Sequence, residues 1–386
     1  MVYVLALLLF CSLIGSGCET KNISMINPRE NESVKSKVGD VLLLSLLLIT
    51  LVVFSGLRTV GNDTALYIKS FTTKTPDSLS AIPQVDWAIG SNPLFTIYSI
   101  LIKVLISSNP QVFIFISAII VQVSLVLFMR KYSADFGFAL FTYIAFTVYA
   151  FTMAAMKQTL ATAIAIWAVP MIATGKKLLP LILILVSALI HPYVVIILVA
   201  FLFRDNVWDK KTAIVLTITI VISIFLQPFL EGVLNITSEI GDKYDVDFFA
   251  EGTGVNLLRV AVYCVVPIMA FVFRDRIRKL NNNFYFICIN LSIVSMCFMF
   301  LGLFGGANMF GRMANYFDIF YCVSLTILLK YGTTNSQDRT IIILVAIFAF
   351  CFFYYTFYKK NLNAEQYTSS WISDFYKHVS ILELFK

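Results

Sequence analysis

The sequence has little charge and lacks the motifs of many soluble enzymes. Only 13% of its 386 residues are Asp, Glu, Lys or Arg, and only two are histidines. It has no Gly-rich phosphate loop, no metalloprotease helix and no cysteine pair at metal-ligand spacing, since apart from Cys11 and Cys18 its seven cysteines are scattered through apolar runs. We therefore predict neither a metal nor a cofactor. Nucleic-acid binding is not expected, because the net charge of +7 comes from Lys and Arg in short loops rather than from one patch.

The apolar residues indicate a membrane protein. They make up 59% of the chain, and no stretch of soluble length separates the apolar runs. We predict an all-α polytopic membrane protein in which residues 1–386 form a single integral membrane domain with about 10–12 transmembrane helices. The apolar amino terminus lacks a basic n-region, so we interpret residues 2–17 as a first span rather than a cleaved signal peptide.

The positions of Lys and Arg predict the sidedness of the loops, because short cytoplasmic loops are enriched in these residues. Basic residues cluster at 176–177, 204–211 and 274–279, and we place these segments inside. The outer segments are then the 57–110 loop, the acidic loop 231–255 and the tail 359–386. Within the first of these, 93–107 is apolar but short for a span, so we predict an interfacial helix there.

The segment 178–203 is too short for two ordinary spans, although basic residues flank it at both ends. Two helices of about 12 residues reach only about 18 Å each, against a hydrocarbon core of about 30 Å. We predict a re-entrant hairpin, with two thin tilted spans as the alternative. Either arrangement places His191 and Pro192 at the tip, directed outward.

This topology brings polar residues from five parts of the chain to the outer mouth. Ionisable groups at membrane depth are costly and usually face a bundle interior or a watery cavity. Each residue also has a structural interpretation: cations can anchor at the interface, and a histidine can serve only as a hydrogen-bonding group. Their convergence on one side favours a functional site. The residues are Arg58, Asp63, Lys157, Gln158, His191 and Arg312.

Four short motifs resemble those of the EpsG-family, Wzy-type polysaccharide polymerases. The stretch from Gly56 to Thr64, followed by Tyr67, resembles the family's early outer loop. Similar elements recur at Met156-Lys157-Gln158, at Lys176-Lys177 with Ala188 to His191, and at Arg312 to Phe317. Their order and spacing extend over about residues 1–330. Two departures from the family pattern affect the local geometry. Lys157 stands where the family usually has Arg, so the guanidinium that could bind phosphate oxygens with two hydrogen bonds is absent. Pro192 follows the histidine, where a small polar residue is common.

The resemblance implies a fold and an activity. It implies a GT-C-like bundle, a type of membrane glycosyltransferase, which joins oligosaccharide repeat units carried on undecaprenyl pyrophosphate at the outer face of the bacterial plasma (inner) membrane. A chain-length regulator and a flippase are the implied protein partners. The implied catalytic residues are His191 and Asp63. The implied pyrophosphate- or substrate-binding residues are Arg58, Lys157, Gln158, Arg312, Asn315, Tyr316, Tyr67 and Trp87.

Three other functions fit a many-span protein. An O-antigen ligase would share the fold and carrier and differ in its acceptor. A membrane acyltransferase would use a buried histidine as base, which leaves the outer cations unexplained. A polysaccharide or lipid transporter would be expected to show repeat symmetry, and the sequence has no internal repeat.

Overall fold

Most of the described part of the chain is helical, with short turns and loops between the helices. The computed structural model describes residues 14, 34–59, 63–239, 254–334, 338–348 and 350–351, and none of them lies in a β-strand. The α-helices are α1 (Val34–Gly56), α2 (Thr64–Thr73), α3 (Pro93–Leu105), α4 (Pro110–Tyr132), α5 (Phe136–Ala145), α6 (Val148–Ala154), α7 (Met156–Ala165), α8 (Ala168–Ala173), α9 (Leu178–Ala188), α10 (Lys210–Ile224), α11 (Leu226–Glu239), α12 (Leu257–Val272), α13 (Arg274–Arg278), α14 (Asn283–Leu301), α15 (Ala307–Asn315) and α16 (Asp318–Ile327). Shorter 3₁₀ helices cover Leu79–Gln84, Ile89–Ser91 and Pro192–Leu202, and a π-helix covers Leu328–Gly332.

Several helices can cross a membrane. Four described segments are long and apolar enough: Gly39–Gly56, Pro110–Tyr132, Met156–Ala173 and Asn283–Leu301. Two bent pairs, α5 with α6 and α10 with α11, raise the number to six if each pair is one span. The all-α polytopic class is confirmed. The total of 10–12 spans stays a prediction, because the remaining apolar helices are short and the predicted first span and the tail 359–386 lie outside the described residues.

Two predicted spans are broken rather than straight. Between α5 and α6 the axis turns by 53° at Thr147, whose φ of 62° lies in the left-handed region that interrupts a helix. Between α10 and α11 it turns by 96°. After this second bend Leu226 and Leu230 pack against Phe310, so the chain turns to cover the end of the bundle.

The centre of the bundle is α14, which packs against α10, α12, α15 and α16. Nearly all its side chains are buried, including the polar Asn290. The Asn290 amide donates to Asn206 O at 2.7 Å and accepts from Thr212 Oγ1 at 3.0 Å. A buried amide that lacked these partners would cost roughly 1–3 kcal/mol. The network therefore ties the start of α10 to the bundle core.

The segment 178–203 folds into two short helices. Helix α9 and the 3₁₀ helix Pro192–Leu202 have 11 residues each, which gives lengths of about 16 Å and about 22 Å. Both are shorter than the hydrocarbon core of about 30 Å. The turn between them contains His191, and its Leu189 carbonyl accepts from Leu94 N–H at 3.0 Å, which attaches the turn to the start of α3. Whether this segment re-enters or crosses stays a prediction.

The 57–110 segment contains two helices, α2 and α3, joined through the short 3₁₀ helices. Helix α3 has 13 residues and so reaches about 20 Å. Lys103 near its end donates to the carbonyls of Thr72 and Thr75, at 3.2 and 2.6 Å, and pairs with Asp77 at 2.8 Å. These contacts fix the end of α2 against the end of α3. The two helices of this segment are therefore attached to each other. Of the predicted acidic loop 231–255, residues 240–253 lie outside the described residues.

Candidate active site

Arg58 lies buried beneath the mouth. Gly56 allows α1 to approach α4 closely, since a Cβ there would lie 3.2 Å from Phe115 Cα. The side chain of Arg58 is only 3% exposed; its Nε donates to Thr64 Oγ1 at 3.1 Å and its Nη1 donates to Ser55 O. Burial lowers the pKa of Arg58 to about 10, so the guanidinium remains protonated at neutral pH. These contacts make Arg58 a tie between α1 and α2 and supply a positive charge below the site.

Lys157 is in the first turn of α7, where the chain restarts after the break at Ala155. Its Nζ lies 5.2 Å from the centroid of the Phe95 ring, and its backbone N–H donates to Tyr67 Oη at 3.4 Å. The Tyr67 and Phe95 rings meet edge to face at 6.2 Å. A lysine in the first turn does not stabilise a helix, because the helix amino terminus already carries partial positive charge. Lysine and helix terminus together favour an anionic ligand.

Arg312 joins three parts of the site. Its Nη2 lies 3.7 Å from Asp63 Oδ2, with each side chain about one-third exposed. Its Nε donates to Asn308 Oδ1, one turn earlier on α15, at 3.1 Å. Its backbone carbonyl accepts from Gln158 Nε2 at 2.7 Å, and Gln158 is itself buried. Helix α15 is thus fixed to α7, and the Arg312 side chain reaches the start of α2.

His191 meets the same region through Tyr316. His191 lies in the turn that precedes the 3₁₀ helix Pro192–Leu202. Its Nδ1 is 2.6 Å from Tyr316 Oη. The imidazole is half-buried, whereas Tyr316 is fully buried. Partial burial first, and then the charges of Lys157 and Arg312, hold the pKa of His191 below its usual value. The imidazole is therefore neutral at pH 7.

Two predicted site residues differ in placement from the others. The amide nitrogen of Asn315, in the orientation that satisfies both of its ends, donates to Gly311 O and to Asp318 Oδ2 at 3.1 Å each. Asn315 is half-buried, and these contacts direct its side chain to Gly311 and the buried Asp318. Trp87 is 57% exposed, and none of the hydrogen bonds or ring contacts of the described residues connects it to Lys157 or His191.

The arrangement suits the transfer of a group away from an anionic leaving group. Lys157 and Arg312 supply positive charge, and Arg58 is a third, buried cation that is bonded to Ser55 and Thr64. Asp63 and His191 are the groups within the set that can take or hold a proton. Donors already in place where negative charge develops stabilise a transition state without reorganisation.

The comparison with known families decides the identity of the chain. Residues 41–371 match the EpsG family. The chain belongs to the EpsG family. This is a family of Wzy-type polysaccharide polymerase-like proteins. No curated protein and no solved structure matches the chain.

This EpsG-family chain also contains site residues that the sequence analysis missed. Phe95 looks like any aromatic residue of an apolar helix, and only its contact with Lys157 distinguishes it. Asn308 could have been found, because it precedes Arg312 by four residues on one helix face. Asp318 is 2% exposed and accepts from Tyr263 Oη at 3.0 Å, which supports Asn315 from behind.

Proposed function

We propose that this EpsG-family chain polymerises oligosaccharide repeat units carried on undecaprenyl pyrophosphate, as a GT-C-type glycosyltransferase at the outer face of the bacterial plasma membrane. The observation that carries the proposal is the set of Lys157, Arg312, Asp63 and His191. These residues come from four separate segments: Arg312 lies 3.7 Å from Asp63, and the charges of Lys157 and Arg312 both act on His191. A polymerase of lipid-linked sugars needs such a combination of cations and a proton acceptor.

The reaction assigns a task to each group. A hydroxyl of the incoming unit attacks the anomeric carbon of the growing chain, and a new glycosidic bond forms. The bond from that carbon to the pyrophosphate breaks, and its electron pair stays on the departing oxygen. Lys157 and Arg312 stabilise the charge that develops there. Asp63 or His191 takes the hydroxyl proton. Tyr67, whose ring packs edge to face against Phe95, would contact a sugar ring.

A purified system tests the proposal. The full-length protein is supplied with carrier-linked repeat units, and the products are separated by carbohydrate gel. We expect a ladder of many repeats together with released undecaprenyl pyrophosphate. A single product formed only when a lipid A core acceptor is added would instead identify a ligase. In cells, deletion of the gene should remove long chains while single-repeat material remains; unchanged long chains would refute the proposal.

Topology labelling gives a second prediction. Gln84 and Lys279 are both exposed, in segments predicted to lie outside and inside respectively. In a background from which the native cysteines have been removed, Gln84→Cys should react with an impermeant maleimide in intact cells. Lys279→Cys should react only after the cells are opened. Labelling of position 279 from outside would overturn the assigned sidedness and the outward-facing site with it.

A further inference from the structure

The contact between Tyr316 and His191 constrains the chemistry of the imidazole. Tyr316 has an exposed fraction of 0%, so it is too buried to bind a substrate directly. Its hydroxyl reaches His191 Nδ1 at 2.6 Å, and this contact connects α15 to the turn before the 3₁₀ helix. Through this contact Tyr316 can influence the reaction by way of the histidine.

The second ring nitrogen of His191 remains available. Within the described part of the chain, Nε2 makes no hydrogen bond and is not among the buried atoms that lack a partner. It is therefore accessible at the edge of the ring opposite Tyr316. Lys157 and Arg312 are close enough to act on this ring electrostatically. A group that binds between these two cations and Nε2 would be an anion.

The tautomer decides what Nε2 can do. A neutral imidazole carries its proton on one nitrogen only, and the other nitrogen accepts. At 2.6 Å the Tyr316 hydroxyl and His191 Nδ1 are within hydrogen-bond distance, and which of them donates depends on the tautomer. A buried phenolic O–H usually has an acceptor, and Nδ1 can serve as one here. A phenolic O–H that donates to Nδ1 leaves the proton on Nε2. The accessible nitrogen is then a donor and cannot serve as a base.

We propose that Tyr316 is a positioning residue that holds His191 in the Nε2–H tautomer, so that His191 donates a hydrogen bond to an oxygen of the departing diphosphate. This inference rests on the proposed polymerase function. No proton leaves His191 in the step: the breaking C–O bond places its electron pair on the diphosphate oxygen, and the N–H stabilises that charge. The hydroxyl proton goes to the other candidate acceptor, Asp63.

The surrounding charges agree with this role. Burial first, and then the charges of Lys157 and Arg312, lower the pKa of His191. A group that is hard to protonate is a weak base but can still donate its N–H. Donation to an anion between Lys157 and Arg312 is stronger than donation to an uncharged oxygen. The three side chains would thus bind one leaving group from separate segments.

The tautomer can be read directly, because the chain has only two histidines. His378→Gln leaves His191 as the one imidazole in a full-length, ¹⁵N-histidine-labelled protein in nanodiscs. We expect ¹⁵N spectra with a protonated Nε2 and an unprotonated Nδ1. A protonated Nδ1 would overturn the inference, whatever the polymerase activity.

Two variants and one probe complete the test. Tyr316→Phe keeps the ring, should lose the single-tautomer signature, and should slow polymerisation up to about tenfold. Tyr321→Phe is the matched control, since Tyr321 is equally buried but donates to Val262 O at 2.8 Å; its His191 spectrum should be unchanged. A Tyr316→Phe protein with an unaltered spectrum would refute the positioning role. Inorganic pyrophosphate should shift the Nε2 signal; no shift would count against the proposed diphosphate site itself, separately from the tautomer.

Discussion

Replacing Lys157 with alanine should abolish long-chain polymer while the protein remains at its normal level in the membrane. The substitution removes the cation in the first turn of α7, 5.2 Å from the Phe95 ring, at the place where the leaving group is proposed to bind. Loss of one group that stabilises developing charge typically lowers turnover about 10²–10³-fold. Gel analysis of chain length, with a membrane immunoblot as the expression control, measures both quantities.

Two further variants make this result specific. Lys157→Arg keeps the charge and should retain long-chain polymer. Lys176→Ala removes an exposed lysine just beyond the other end of the α7–α8 segment and should have no effect on chain length. Wild-type chain lengths in Lys157→Ala would remove Lys157 from the site. Loss of polymer in all three variants would point to altered topology or folding.

The residue types of the site were predictable, because a cation or an imidazole is conspicuous in an apolar sequence. Lys157, His191 and Arg312 were singled out on that ground, and the structure links all three to neighbours from other segments. The same reasoning could not separate Arg58 from Lys157. Arg58 is buried and bonded to Ser55 and Thr64, and the satisfaction of those donors depends on how α1 meets α2.

Contacts between distant segments could not be predicted. The pairing of Asp63 with Arg312 depends on the packing of α15 against the start of α2, which no local pattern records. The same is true of the bend after Ile224, where Leu226 and Leu230 leave the helix axis to pack on Phe310. An apolar run predicts a helix, but its straightness depends on the surfaces that surround it.

Asp63→Asn should lower the polymerisation rate far more than His191→Gln does. If Asp63 takes the hydroxyl proton, an amide cannot replace it, and the loss should be about 10²–10⁴-fold. The broken ion pair with Arg312 does not account for such a loss. Both side chains are about one-third exposed, and such pairs contribute at most about 1 kcal/mol, which is less than tenfold in rate.

His191→Gln retains an N–H donor at the position where we propose that the imidazole donates to the diphosphate. Its loss should therefore be about tenfold or less, whereas removal of a general base would cost at least about 10²-fold. Initial rates on purified carrier-linked units, with each variant at equal membrane level, give the comparison. A loss of about 10²-fold or more in His191→Gln, together with only a mild loss in Asp63→Asn, would make His191 the base.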